Sequence, residues 1–298
     1  MFARHRALMR QIAPALGALL LGGVLVAPAA AQSATPAASC APPPAADVMT
    51  AERGAASTAT VELAATPASA EISSRTLATV DNFVACWNVD DLGAALALAT
   101  PRFLQSSFGL ADAQAAEAAL PELQLGPMEL LGTGDVATYA DGRASIDIAY
   151  QRGPYERVDA RWFLAQTGDQ LRLDEEILLP PRPDSDHAVL SFSIADDAAI
   201  VVLDQSTELT RIDTIVLQGV NYGAKPHVFR VVQVADSPTK NPAAAVAEAE
   251  GPIVGLLAVE PGGRESLALA GLPAGEYAIV DPAVEGSSVI LTVAEPET

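Results

Sequence analysis

The sequence predicts an α+β region, with helices packed on a curved antiparallel sheet, followed by an all-β Greek-key sandwich. Two observations carry this. Apolar residues recur at three- and four-residue spacing up to Leu120 and at two-residue spacing from Pro127 onward, so helices precede strands. A proline-rich break, Leu179-Pro180-Pro181-Arg182-Pro183-Asp184, then separates that block from short strands punctuated by Gly, Pro and Asp. The boundaries that follow are a signal peptide over residues 1–31, an Ala/Pro-rich tether over 32–71, a first folded region over 72–183 and a second over 187–295.

At the N-terminus, Arg4, His5, Arg6 and Arg10 precede an apolar run from Ile12 to Val26, and Ala29-Ala30-Ala31 follows. This is the pattern of a secretory signal peptide, and the run is shorter than the ~20 residues of a spanning helix. The expected location is secreted or at the cell envelope, with no transmembrane segment after cleavage. A lipid anchor on Cys40 is the alternative, although Ala37-Ala38-Ser39 lacks the leucine of a lipobox. From Gln32 to about Ala70 the chain is mostly Ala, Pro, Ser and Thr, which bury too little surface to offset the entropy of ordering. The two cysteines, Cys40 and Cys86, form an even set, and export favours a bridge between them over two free thiols.

In the first region Ser73-Ser74 is placed to cap a helix whose apolar face is Leu77, Val80, Val84 and Trp87. Asn88-Val89-Asp90-Asp91 breaks it. Asp90 or Asp91 caps a second helix with Leu92, Ala95, Leu96 and Ala99, which Thr100-Pro101 ends, and a third piece runs from near Asp112 to Leu120 and stops at Pro121. Strands follow: Ile146, Ile148 and Tyr150 alternating with Ser145, Asp147 and Ala149, then Val158, Ala160, Trp162 and Leu164 alternating with Arg157, Asp159, Arg161 and Phe163, then Leu171, Leu173, Glu175 and Ile177. Arg157, Asp159 and Arg161 mark a solvated face across which Asp147 can pair.

The order of Cys86-Trp87-Asn88-Val89-Asp90-Asp91, a second helix running to Ala99-Thr100-Pro101, then Phe103-Leu104 and a long bent hairpin, resembles the nuclear-transport-factor-2-like (SnoaL-like) cone fold. The resemblance implies a cone with an interior pocket and a homodimer through the open sheet face. It also implies a superfamily of isomerases, hydrolases, cyclases and non-catalytic members, so it selects no reaction. No histidine lies between Ala70 and Pro183. The candidate acid or base is Glu175, in phase with Leu171 and Leu173, and the candidate pocket is Trp87, Tyr150, Trp162 and Glu175. If that strand face is the concave one, the Glu175 carboxyl sits among apolar groups and its pKa rises. The plainer alternative has Glu175 reaching water and the tryptophans in the core.

In the second region about eight short strands are legible, from Leu190 to Val293, which indicates an all-β sandwich. Asn221-Tyr222-Gly223-Ala224-Lys225-Pro226-His227-Val228-Phe229, and Glu260-Pro261-Gly262-Gly263 through Gly271-Leu272-Pro273-Ala274-Gly275-Glu276-Tyr277, resemble cupredoxin segments. The resemblance puts His227 on the first copper-ligand position and Asp281 on the cysteine position. A blue-copper site needs two His, a Cys thiolate and usually an axial Met. Beyond residue 187 there is neither Cys nor Met, so the reading is a cupredoxin-like domain without its copper ligands and without a cofactor. His227 and Asp281 remain as residual metal positions.

A formal charge of −20 argues against nucleic acid as a partner. The functional expectation is an exported, non-catalytic bacterial envelope or secreted protein that binds a small apolar ligand or a protein partner. The alternatives are an isomerase- or hydrolase-type enzyme using Glu175 and a degenerate metal site at His227.

Overall fold

Ser69, rather than Ser73 or Ser74, caps the first helix: its Oγ accepts from the Ile72 amide at 3.3 Å, and α1 runs Ala70–Asn88. The computed structural model describes residues 40, 65–182, 187–205, 214–234, 251–284 and 286–294. The expected signal peptide, the tether up to residue 64 apart from Cys40, and the end of the proline-rich break lie outside them. The last residues assigned to the tether are structured, since β1 (Thr66–Pro67) pairs with Thr138 and Ala137 and the helix begins three residues later. The buried face of α1 is Thr76, Thr79, Val80, Phe83, Val84 and Cys86; Leu77 is exposed and Trp87 half-buried, so the stripe is rotated from the expected one.

Asp91 caps α2 (Leu92–Ala97) through the Ala94 amide. Thr100-Pro101, expected to end a helix, begins one instead. Thr100 Oγ1 accepts from the Phe103 amide, and Pro101 opens α3 (Pro101–Phe108), where its missing N–H costs nothing. α4 (Ala113–Leu123) starts on Asp112 and continues two residues past Pro121 before Gln124 turns left-handed at φ 47°.

Four antiparallel strands follow: β2 (Met128–Thr138), β3 (Ala144–Arg152), β4 (Glu156–Thr167) and β5 (Gln170–Leu178). The helices pack on their inner face. Phe83 and Phe103 meet Trp162 edge-to-face at ring separations of 5.6 and 5.4 Å, and each such buried side chain contributes roughly 1.5–3 kcal/mol. On the outer face Arg161 Nε reaches Asp147 Oδ1 at 2.6 Å, the cross-strand pair anticipated from the alternation.

Among the described residues eight further strands follow: β6 (His187–Ile194), β7 (Val201–Gln205), β8 (Thr214–Asn221), β9 (His227–Gln233), β10 (Ile253–Val259), β11 (Arg264–Ala270), β12 (Gly275–Val280) and β13 (Ser288–Val293). They form two layers, β11-β8-β6-β7 and β10-β9-β12-β13, with Phe192 against Phe229 at 4.8 Å between them. This is a β-sandwich. β6 and β8 are parallel, and the other paired strands of the sandwich are antiparallel. Tyr277 fixes one corner by donating from its hydroxyl to the Pro273 carbonyl at 2.8 Å.

The first sheet and one layer of the sandwich are a single nine-stranded sheet. β5 covers β4 only from Ala160 onward, and β11 takes the free start of that edge through Ala268↔Arg157 and Leu269↔Glu156. The other layer of the sandwich meets the helices directly. A Cβ on Gly109, which closes α3 at φ 69°, would lie 2.1 Å from Val228 Cγ2, so only glycine lets α3 end against β9. The described residues accordingly belong to one compact unit. Among the described residues no helix is long and apolar enough to cross a membrane.

Candidate functional site

Glu175 does not enter the first region. β5 leaves its partner between Leu173 and Glu175 to receive the chain before α3: the Thr100 amide donates to the Leu173 carbonyl, and the Leu173 amide to the Leu98 carbonyl, both at 2.8 Å. Asp174 becomes the extra residue of a bulge, where its side chain and carbonyl accept from Thr100 Oγ1. One added residue reverses the side-chain phase. Glu175 therefore lies on the outside, ion-paired with Arg102 at 2.6 Å and Arg143 at 2.9 Å, and Glu176 lies inside.

The Glu176 carboxylate is buried. Its Oε1 accepts from the Tyr150 hydroxyl at 2.9 Å and from Trp162 Nε1 at 2.8 Å, and its backbone amide donates to Ser106 Oγ at 2.8 Å. Tyr150 and Trp162 are fully buried core residues rather than pocket walls. Trp87 is also structural: it stacks on Phe108 at 5.6 Å and donates to the Gly126 carbonyl, while Asn88 beside it donates to and accepts from the Met128 backbone at 2.7 Å. The expected pocket of Trp87, Tyr150, Trp162 and Glu175 is thus not formed, because Phe83 and Phe103 fill the space. What remains beside Glu176 is a cavity of about 10 Å³, room for one water, lined in part by Ser107 and Arg152. Ser107 Oγ and Arg152 Nη1 are both buried and lack a protein partner.

The alternation that buries Tyr150 and Trp162 also buries Arg152 and Glu156, which pair across the end of the β3–β4 hairpin. Arg152 Nε donates to Glu156 Oε2 at 3.1 Å, a second nitrogen reaches Oε1, and the guanidinium lies over the Phe108 ring at 5.4 Å. Burial pushes the Glu156 carboxyl up, with the Arg152 charge pulling against it. Burial, together with the Glu176 charge, raises the Tyr150 phenol well above its ordinary value.

On β11, Glu265 is pushed up to about 7, chiefly by burial, with the charges of Glu176 and Glu260 adding to it. The folded state therefore holds this proton more tightly than the unfolded chain. The neutral carboxyl's contribution is complete below the unfolded value near 4.5 and is lost as pH rises through about 7. Glu265→Gln is expected to flatten the decline in stability between about pH 5 and 8 and to raise the melting temperature at the upper end of that range. Parallel melting curves check this, and unchanged pH dependence would contradict it.

His227 and Asp281, the residual metal positions, are in direct contact. His227 Nδ1 lies 2.5 Å from Asp281 Oδ2, both side chains are buried, and Asp281 Oδ1 accepts from the Ala283 amide. His227 Nε2 is buried and without a hydrogen bond, 3.6 Å from Asp196 Oδ1. Asp196 in turn accepts from the Ala224 and Lys225 amides, bonds that hold its carboxyl below the usual range. The carboxylate at position 281 occupies one ring nitrogen and ties the start of β9 to the loop after β12. Among the described residues no group of three or more His, Cys, Asp or Glu side chains is arranged to hold a metal ion.

A groove of about 480 Å³ lies where the end of α4 meets the outer face of β10-β9-β12. Glu122, Leu123 and Gln124 form one wall, and Arg230, Val232 and Ile253 line the other. Sequence reasoning misses it, because the groove joins residues from both regions and depends on their packing. The one local signal is Arg230 in a strand otherwise apolar from Val228 to Val232.

No family model and no curated protein matches this sequence. Among solved structures, the dithionite-reduced auracyanin of Roseiflexus castenholzii is similar at 20% identity over 36% of this chain and 96% of that one, with a TM-score of 0.25. The Aln2 protein of a Streptomyces species is similar at 16% identity over 38% of this chain and 94% of that one, with a TM-score of 0.30. A multicopper oxidase from Campylobacter jejuni, of which the chain covers 49%, is similar at 10% identity over 57% of this chain, with a TM-score of 0.23. TM-scores this far below 0.5 carry no argument about family or activity.

Proposed function

We propose that this chain is an exported, non-catalytic binding protein of the cell envelope or the extracellular space, with a nuclear-transport-factor-2-like first region and a cupredoxin-like second region. It works by presenting the groove between α4 and the outer face of β9 and β10 to a ligand. The observation that supports this reading is how the interior carboxylate is used. One oxygen of Glu176 accepts from two neutral donors, and the carboxylate has beside it space for a single water, whereas a volume suited to a small molecule lies open at the groove. The His227–Asp281 contact supports it in the same way, since a ring nitrogen that a ligand or ion would use is already bonded.

Backbone amide shifts recorded while the purified chain is titrated with a panel of small organic molecules test the reading. Perturbations are expected at residues 122–124, 230–232, Gly251 and Ile253, with those of Tyr150, Trp162 and Glu176 unmoved. Ligand shifts centred on Glu176, or chemical conversion of a panel member, would overturn it.

A further inference from the structure

We infer that the groove is a binding site for a small monocarboxylic acid with an apolar body, held by Arg230. The inference rests on the binding reading above and gives its ligand a chemistry. Arg230 lies on the outer face of β9, paired in register with Leu256 on one side and Val280 on the other. Its side chain is half-buried, its Nε is fully shielded from solvent, and that nitrogen has no hydrogen-bond partner. The two Nη groups at the end of the side chain are not shielded and have no partner among the described residues, so they are the donors a ligand's acceptor can reach. Among the described residues no carboxylate lies within ion-pair distance of Arg230, whereas Arg102, Arg143, Arg152 and Arg161 are all paired. A guanidinium presents its donors as a planar fork that matches a carboxylate in two-point contact.

The rest of the groove fixes the remainder of the ligand. Ile253 and Val280, both partly exposed, offer apolar surface beside the guanidinium for the ligand's hydrocarbon part. Glu122 lies in the same groove and is exposed, so a second negative charge on the ligand meets repulsion there. The chain's own charge of −20 opposes any dianion further. One carboxylate and one apolar tail satisfy all of these groups.

Octanoate is the probe, with 1-octanol as the neutral isostere and octanedioate as the dianion. Titrations followed by amide shifts are run on the full chain and on Arg230→Gln, Arg230→Lys and Glu122→Gln. Octanoate is expected to saturate the groove residues, with octanol and octanedioate each at least tenfold weaker. Arg230→Gln is expected to weaken octanoate at least tenfold, Arg230→Lys by less, and Glu122→Gln to tighten it severalfold. Added salt should weaken octanoate but not octanol. Melting temperatures within a degree or two of wild type show that the variants fold, and if Arg230→Gln does not fold, the octanol and salt comparisons on wild type decide alone. Equal binding of octanoate and octanol, or octanoate binding unchanged in Arg230→Gln, overturns the inference. If uncharged panel members shift the groove while octanoate does not, the carboxylate assignment fails and the binding reading stands. If every ligand shifts residues elsewhere, the binding reading itself fails.

Discussion

Arg152→Ala is expected to destabilise the fold by about 3–5 kcal/mol, the loss that follows when one member of a buried ion pair is removed and the other is left charged in an apolar setting. Arg152 and Glu156 are each about 3% exposed, their two-point contact closes the β3–β4 hairpin, and the guanidinium also covers Phe108. The pair sits where the hairpin meets the sandwich, since the Tyr155 carbonyl between them accepts from the Ala270 amide at 2.8 Å. The loss should therefore spread through both regions. Urea unfolding followed by far-ultraviolet dichroism measures it. The double variant Arg152→Met, Glu156→Leu is expected to recover most of the loss, because it removes both charges and keeps the volume. A single variant within about 1 kcal/mol of wild type would show that the pair is not an energetic keystone.

Cys40→Ser is expected to cost about 4 kcal/mol, the chain-entropy value for opening a loop of 46 residues. Cys40 is bonded to Cys86, which is fully buried near the end of α1, with Cα atoms 4.6 Å apart. Changing the outer partner leaves the core thiol in place, so the effect reads the cross-link rather than a cavity. Thermal unfolding with and without a reductant checks it: reduced wild type should melt with Cys40→Ser, and the variant should not respond to reductant. A variant as stable as oxidised wild type would mean that the bond constrains nothing that folding must order.

The alternation of apolar residues makes the strands legible, because a strand buried on one face repeats every two residues whatever it packs against. The same rule carried two residues further puts Arg152 in phase with Tyr150 and Glu156 in phase with Val158, on the buried face. Charged residues at the end of a strand read as solvated as long as no partner is visible, and here the partner is a sandwich that begins thirty residues later in the chain, by a rough count. Glu175 reads as inward for the converse reason. Its phase with Leu173 holds only without a bulge, and that bulge is caused by Leu98–Thr100 docking on β5, a contact between segments distant in sequence. Thr100-Pro101 is ambiguous in kind, since a threonine followed by proline stops one helix as readily as it caps and opens the next. The Arg230 groove belongs to neither region alone, so no local pattern announces it. His227 and Asp281 are brought together by resemblance, and their contact has the character of a strut between a strand's start and a loop.

Until β11 has been made, the start of β4 has no strand to pair with on that edge. A nascent chain that has emerged only as far as the proline-rich break carries an open backbone edge at Glu156 and Arg157, next to an ion pair with no roof. Such an edge invites pairing with other chains. Residues as late as Leu269 must leave the ribosome before the earlier half can close, so a chain cut short at the break is a candidate for aggregation rather than a smaller working protein.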